Sequence, residues 1–262
     1  MGSYILFNIL QCVAVLMLYI PWSDRPVPLL KLRAVPCYVN EQVPSMKAEK
    51  NSWLFWAELL ADNIDESNSS YRHKQEIVTW KDHEDQAYQS YTDCSGLINA
   101  LIKQSDHNEK ILKNWFGTSR PLAIDYYNAI STQNNFSIVS NIRNLLPGDL
   151  IVIKYADRST HEDNTGHCLL VDQLPSPCKA YPDISGTRQY AVWVIDSSKS
   201  PHGKQDSRHK KNGDPYHGLG RGLFRLYTKD KGEIIGCSWS LQKPHNGFDP
   251  LINPIIAGRP VQ

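Results

Sequence analysis

No formally charged side chain occurs before Asp24, and the run from Tyr4 to Pro21 is largely apolar. A stretch of that length is not an element of a small soluble core. It reads as an export signal or a membrane-anchoring helix over residues 1–23. Two usual marks of a cleaved signal are missing: no Lys or Arg precedes the run, and no A-x-A site follows it. Net charge is scarce too, with 28 Lys+Arg against 27 Asp+Glu, a formal +1. Nucleic-acid binders usually present a basic face, so nucleic acid is not an expected partner. Six cysteines among 262 residues are too few for a disulfide-built scaffold. Internal repeats and low-complexity blocks are absent, and a composition 41% hydrophobic and 21% charged is that of an ordinary globular protein.

Residues 24–42, with Pro26, Pro28 and Pro36, read as a linker, and 43–262 as one domain. Asn51-Ser52 caps a helix from Trp53 to about Asn63 whose apolar face is Trp53, Trp56, Leu59 and Leu60. A polar stretch from Asp65 to Gln86 leads to a helix beginning near Cys94, marked by Leu97, Ile98, Leu101 and Ile102. Further helices are expected over Glu109–Phe116, Pro121–Ile130 and Ser137–Leu145. After Pro147-Gly148 the period changes. Asp149–Tyr155, His167–Asp172, Tyr190–Asp196, Gly222–Tyr227 and Glu233–Trp239 are short, mostly β-branched runs, the last two joined by a turn at 229–232. Helices followed by strands predict an α+β domain, N-terminal helices packed on a mostly antiparallel sheet of about five strands.

Cys94 stands at a predicted helix N-terminus, where backbone N–H groups and the helix dipole favour a thiolate. His167 opens one predicted strand and Asp196 closes the next. The imidazole is thus a candidate base for the thiol, with the carboxylate orienting it from the far side. Taken singly, each has a plainer role: a buried structural thiol, a strand-end surface residue, a turn residue. Their order on helix, strand and strand makes the joint reading the stronger one.

The runs Asp93-Cys94-Ser95-Gly96-Leu97-Ile98, Leu146-Pro147-Gly148-Asp149-Leu150 and Gly166-His167-Cys168-Leu169-Leu170-Val171 resemble the NlpC/P60 superfamily of papain-like cysteine peptidases and amidases, over roughly residues 85–240. That resemblance implies a papain-like core with Cys94 as nucleophile, His167 as general base and Asp196 as the orienting group. It implies substrate-binding roles for Asp93 and Ser95, at positions that in the family help hold a free amine, with Tyr91 a further candidate beside them. The implied substrates are cell-wall peptides or peptidoglycan fragments, and the implied location is extracytoplasmic: periplasmic, secreted or membrane-anchored. The chain departs from the family in having Asp at the third catalytic position, where cell-wall enzymes often carry His. The family's upstream tyrosine has no clear match: Trp80 and His83 occupy its region, while Tyr88 and Tyr91 lie nearer the cysteine.

Three alternatives stay open. Transglutaminase-like acyl transfer uses the same order of residues. A zinc site would draw on His161-Glu162-Asp163 or on His202, His209 and His217, but neither H-E-x-x-H nor paired C-x-x-C spacing occurs, so no metal or other cofactor is expected. A non-catalytic binding module on the same fold is the third. The segment His202–Lys211 reads as a solvated loop. Cys168, next to His167 on a strand, should face the core, and Cys37, Cys178 and Cys237 are candidates for pairing in an oxidising compartment.

Overall fold

The first helix, α1 (Trp53–Asn63), begins where expected: the Ser52 hydroxyl accepts the Phe55 amide at 3.2 Å. It buries Trp53, Leu54, Ala57 and Leu60, with Trp56 and Leu59 half-buried at the rim of the same cluster. The computed structural model describes residues 52–81, 86–156, 164–242 and 251–261. The leader and linker expected over residues 1–42 lie outside these, as do Cys37, His83 and the His161-Glu162-Asp163 run. No described helix is long and apolar enough to cross a membrane.

The stretch from Asp65 to Gln86, expected to be merely polar, instead holds short strands β1 (Ser69–Ser70) and β2 (Ile77–Thr79). With β3 (Gln89–Tyr91) they form a small sheet in the order β1-β3-β2, the β1–β3 pair parallel. Then follow α2 (Cys94–Asp106), α3 (Ile111–Phe116) and α4 (Ala123–Ser131). The helix expected over Ser137–Leu145 is not formed. Val139, Ile142 and Leu145 do have helical spacing and are all buried, but strand β4 (Phe136–Ile138) and a 3-10 turn at Ile142–Asn144 bury them instead. β4 is drawn into extended form by pairing with the C-terminal strand β11 (Ile255–Pro260), a partner too distant in sequence to anticipate.

Among the described residues the main sheet has eight strands. Its path runs β10-β9-β8-β6-β5-β11-β4, with β7 (Ser176–Pro177) paired to β8 off that path, and every pairing is antiparallel. Here β5 is Leu150–Lys154, β6 Gly166–Val171, β8 Thr187–Ser198, β9 Gly218–Lys229 and β10 Ile234–Ser238. The described chain is therefore mixed helix and sheet with antiparallel sheets, larger than the five strands expected. Leu97, Ile98 and Leu101 of α2 pack with Leu150, Val152, Cys168 and Leu170 from one face of the sheet. Ile151, Leu169, Val171, Val194 and Phe224 form a second cluster on the other face.

The Pro-Gly-Asp-Leu turn is closed from within. Gly148 has φ of 89°, a conformation costly for any residue with a Cβ. Asp149 accepts the Leu146 amide at 2.8 Å and binds Arg259 of β11 at 2.7 and 2.9 Å, tying turn to C-terminal strand.

Candidate active site

The N-terminus of α2 is built by its own sequence. Asp93 is the cap: its Oδ1 accepts the Gly96 amide at 2.7 Å and the Ser95 hydroxyl at 3.0 Å. Gly96 must be glycine, since a Cβ there would overlap the Thr92 hydroxyl and come within 2.5 Å of Glu76 Oε1. Ser197 of β8 donates to the Thr92 carbonyl at 2.6 Å, which docks the helix start against the strand bearing Asp196. Gly166 answers it on β6: a Cβ at that position would run into the Ile153 carbonyl oxygen, so only glycine lets β6 begin there. Cys94 Sγ lies 4.0 Å from the Gly166 carbonyl oxygen, and the next residue is His167.

The structure brings Cys94, His167 and Asp196 together. His167 Nε2 donates to Asp196 Oδ2 at 2.6 Å, which leaves Nδ1 as the ring nitrogen free to serve the thiol. The Cys94 sulfur and the His167 imidazole act on each other's titration in opposite senses. All three residues are nearly closed to solvent. The Cys94 thiol is brought down to about 5: Cys168 hydrogen-bonds to the sulfur, burial opposes, and the charge and hydrogen bond of His167 add to the lowering. Burial pushes His167 down, but the adjoining thiolate and the bond to Asp196 outweigh it and bring the imidazole up to about 10. These shifts make a thiolate–imidazolium pair the resting state at neutral pH. Cys168 faces the helix side of the sheet, as alternation along β6 requires, and burial raises its own thiol.

Of the other sequence candidates, Asp93 and Ser95 bond to each other. Asp93 Oδ2 is occupied by Arg120 at 2.9 Å and His73 at 3.0 Å, and Asp93 is only 3% exposed. Tyr91 donates its hydroxyl to the Ser67 carbonyl at 3.1 Å, and its ring carries the Arg72 guanidinium. None of the three lines the cleft of about 250 Å³ beside His167. Two other tyrosines do: Tyr71 and Tyr155, together with Asn164, Ser198, Lys199 and Trp239. Both phenols are raised, first by burial and then by the Cys94 charge. Tyr71 was not singled out by the sequence, because it lies in the polar stretch that carries no apolar period. A larger hollow of about 520 Å³ on the other flank of α2, near Asn99 and Lys103, does not reach His167.

The segment read as a solvated loop is largely an internal support. His202, Asp206 and Arg208 are 2%, 5% and 0% exposed. Arg208 binds Asp206 through Nε at 2.8 Å and Nη2 at 2.6 Å, and its Nη1 pairs with Asp196 Oδ1 at 3.0 Å while also donating to Ser198 Oγ. His202 Nε2 reaches Asp196 Oδ2 at 3.1 Å. Asp206 accepts the backbone amides of His202 and Arg208 at 2.7 and 2.8 Å. Room for this comes from β9, where Gly218, Gly220 and Gly222 alternate on one face. A Cβ at 220 would come within 2.5 Å of Arg208 Nε, and one at 222 would overlap Asp206 Oδ2. Strand β9 starts at Gly218 rather than Gly222: Gly220 faces the Arg208 stem, Gly222 faces Asp206 and His202, and Gly218 faces Ser69 and Ser70 of β1. The consequence for Asp196 is large. Burial would neutralise it, but Arg208 first, then His202 and His167, hold its carboxyl well below the usual range.

His209 and His217 do not gather around His202. His209 Nδ1 bonds the Asp206 carbonyl at 2.9 Å and His217 Nδ1 accepts the Tyr71 amide at 3.0 Å. Among the described residues no group of three or more His, Cys, Asp or Glu is arranged to hold a metal ion. Cys237 is a buried free thiol pushed up to about 12 by burial, so it is not part of a disulfide.

No family model matches the chain, and no solved structure matches it significantly. A protein of Acanthamoeba polyphaga mimivirus, described as "Uncharacterized protein R653", is 38% identical over 224 residues, which cover 82% of this chain and 98% of that protein. With that identity sustained over nearly the whole length of the viral protein, the chain belongs to the same family as the mimivirus protein.

Proposed function

We propose that this protein is a cysteine-dependent hydrolase of the NlpC/P60 type that cleaves amide bonds in cell-wall peptides. The observation that carries the reading is the buried relay from Cys94 through His167 to Asp196, with a sulfur whose thiolate is favoured at neutral pH. The thiolate attacks the scissile carbonyl carbon. Negative charge gathers on the carbonyl oxygen, for which the first-turn amides of α2 are the available donors. His167 gives the proton on Nδ1 to the leaving amine, and Cys94 is left as a thioester. Water then attacks the thioester carbon, His167 takes its proton, and the acid is released with the thiolate restored. Asp196 keeps the ring in the tautomer and orientation these transfers need. The Asp-Cys-Ser-Gly run, the Pro-Gly-Asp-Leu turn and the helix-on-sheet placement of the pair support the NlpC/P60 assignment. The apolar leader supports an extracytoplasmic site of action, as an exported or anchored enzyme. Supply of cell-wall fragments as substrate follows from that same resemblance.

A digest of purified peptidoglycan by the wild type and by Cys94→Ala, with released peptides identified by mass spectrometry, tests the proposal. Wild type should release peptides, and Cys94→Ala should release at least about a thousandfold less. Equal release by both refutes cysteine catalysis. No release by a folded wild type refutes the cell-wall substrate, and products found only as adducts of an added amine point to acyl transfer.

A further inference from the structure

His202 presents both ring nitrogens to acceptors. Nδ1 lies 2.6 Å from the Trp239 backbone carbonyl and Nε2 lies 3.1 Å from Asp196 Oδ2. A carbonyl and a carboxylate can only accept, so both ring nitrogens are placed to donate. Every group around it fits this placement. Asp196 faces it from β8, Asp206 holds its backbone amide, Phe224 of β9 meets its ring edge-on at 5.8 Å, and the Trp239 ring lies against it at 4.2 Å. The same carboxylate oxygen that accepts from His202 accepts from His167, and Arg208 occupies the other oxygen.

With His202 donating from both nitrogens the buried cluster would balance: Cys94 thiolate, Asp196 and Asp206 set three negative charges against three positive ones on His167, His202 and Arg208. Without the added cations, an undivided buried carboxylate 2.6 Å from His167 would bind the imidazolium proton too tightly for ready transfer to a leaving amine.

We propose that His202 is a second histidine of the site that donates from both ring nitrogens, a positioning residue that with Arg208 divides the Asp196 carboxylate, aims it at His167 and limits how tightly His167 holds its proton. The consequence for catalysis rests on the hydrolase reading above, but the ring assignments do not. The role deepens that reading, since it sets the working range of the base.

Nitrogen-15 labelling of the histidine rings, read by NMR, tests the proposal directly. In the wild type at pH 7, His202 should show both ring nitrogens protonated. In a Cys94→Ser background, where the thiolate no longer holds His167, the His167 titration should move upward by about one unit, a tenfold gain in proton affinity, when His202→Gln is added. A thermal melt of each variant establishes that it is folded, and a merely structural residue would leave the His167 titration where it was. A neutral His202 in the wild type overturns the proposal, as does an unmoved His167 titration in a folded double variant. If His202→Gln does not fold, the wild-type spectrum decides the matter alone. These spectra need no substrate, so a failed peptidoglycan digest and a failed His202 assignment are separate results.

Discussion

Arg208 offers the sharpest test of whether the internal support is a set of buried charges. Its side chain is fully enclosed, hydrogen-bonded to Asp206 through two nitrogens, to Ser198 and to the Gly218 carbonyl at 3.2 Å, and ion-paired with Asp196. Arg208→Met keeps the length of the stem and removes all of those donors. Asp206 then keeps only backbone amides, and Asp196 loses the cation on Oδ1. Leaving a buried carboxylate without its partner costs about 3–5 kcal/mol. For a domain of this size each kcal/mol moves the melting temperature by roughly 2–4 °C, so the variant should melt roughly 6–20 °C below wild type. The assay is thermal unfolding followed by circular dichroism, with a companion in which Asp206→Leu is added. Removing both charges of the pair should recover at least about half of the loss, because the penalty lies in the orphaned charge rather than in the missing bond. A single variant that melts within about 2 °C of wild type would refute the reasoning, as would a double variant less stable than the single one.

Two further outcomes follow from the same geometry. Alkylation of Cys94 by iodoacetamide, quantified by mass spectrometry against pH, should rise through about pH 5 rather than near the ordinary thiol value of 9.0, since the lowered thiol is already ionised above the first. Cys168→Ala removes the hydrogen bond to the sulfur and should move that rise toward higher pH, whereas a wild-type profile that rises only near 9 contradicts the thiolate–imidazolium pair. Gly222→Ala drives a methyl group into Asp206 and His202 and should cost about 1–3 kcal/mol in thermal unfolding, with native-like melting of that variant counting against a closely packed support.

What the sequence could announce, and what it could not, divides along the range of the interactions. Helix α1 was legible because its cap and its apolar face are local: Ser52 reaches an amide three residues away. Asp93, Cys94, Ser95 and Gly96 were legible for a similar reason, a polar cap and a small residue at the start of an apolar period. His167 and Asp196 were legible as the polar bounds of two apolar runs, although β8 continues past Asp196 to Ser198. The helix wrongly expected over Ser137–Leu145 shows the limit, since its apolar spacing fits a strand and a turn once β11 supplies a partner more than a hundred residues away. Gly218 and Gly220 fall outside the strand expected over Gly222–Tyr227, since glycine weakens a strand. The enclosed Arg208 and Asp206 explain why Gly220 and Gly222 carry no side chain, and the close approach of Ser69 and Ser70 explains Gly218.

The support of Asp196 was hidden for the same physical reason. A histidine, an aspartate and an arginine within seven positions are the composition of a solvated loop, and nothing local distinguishes a solvated set from a neutralised one. The difference lies across the sheet. Asp196 stands opposite Gly220 in the β8–β9 register, so the missing Cβ at 220 is what admits the Arg208 stem beside the carboxylate. Gly220 and Gly222 of β9 and the charges at residues 202–208 are therefore one feature written in two places. Charged residues followed by a strand of alternating glycines spell out that feature in the chain itself, provided the glycines are read as space reserved for a side chain rather than as a break in the strand.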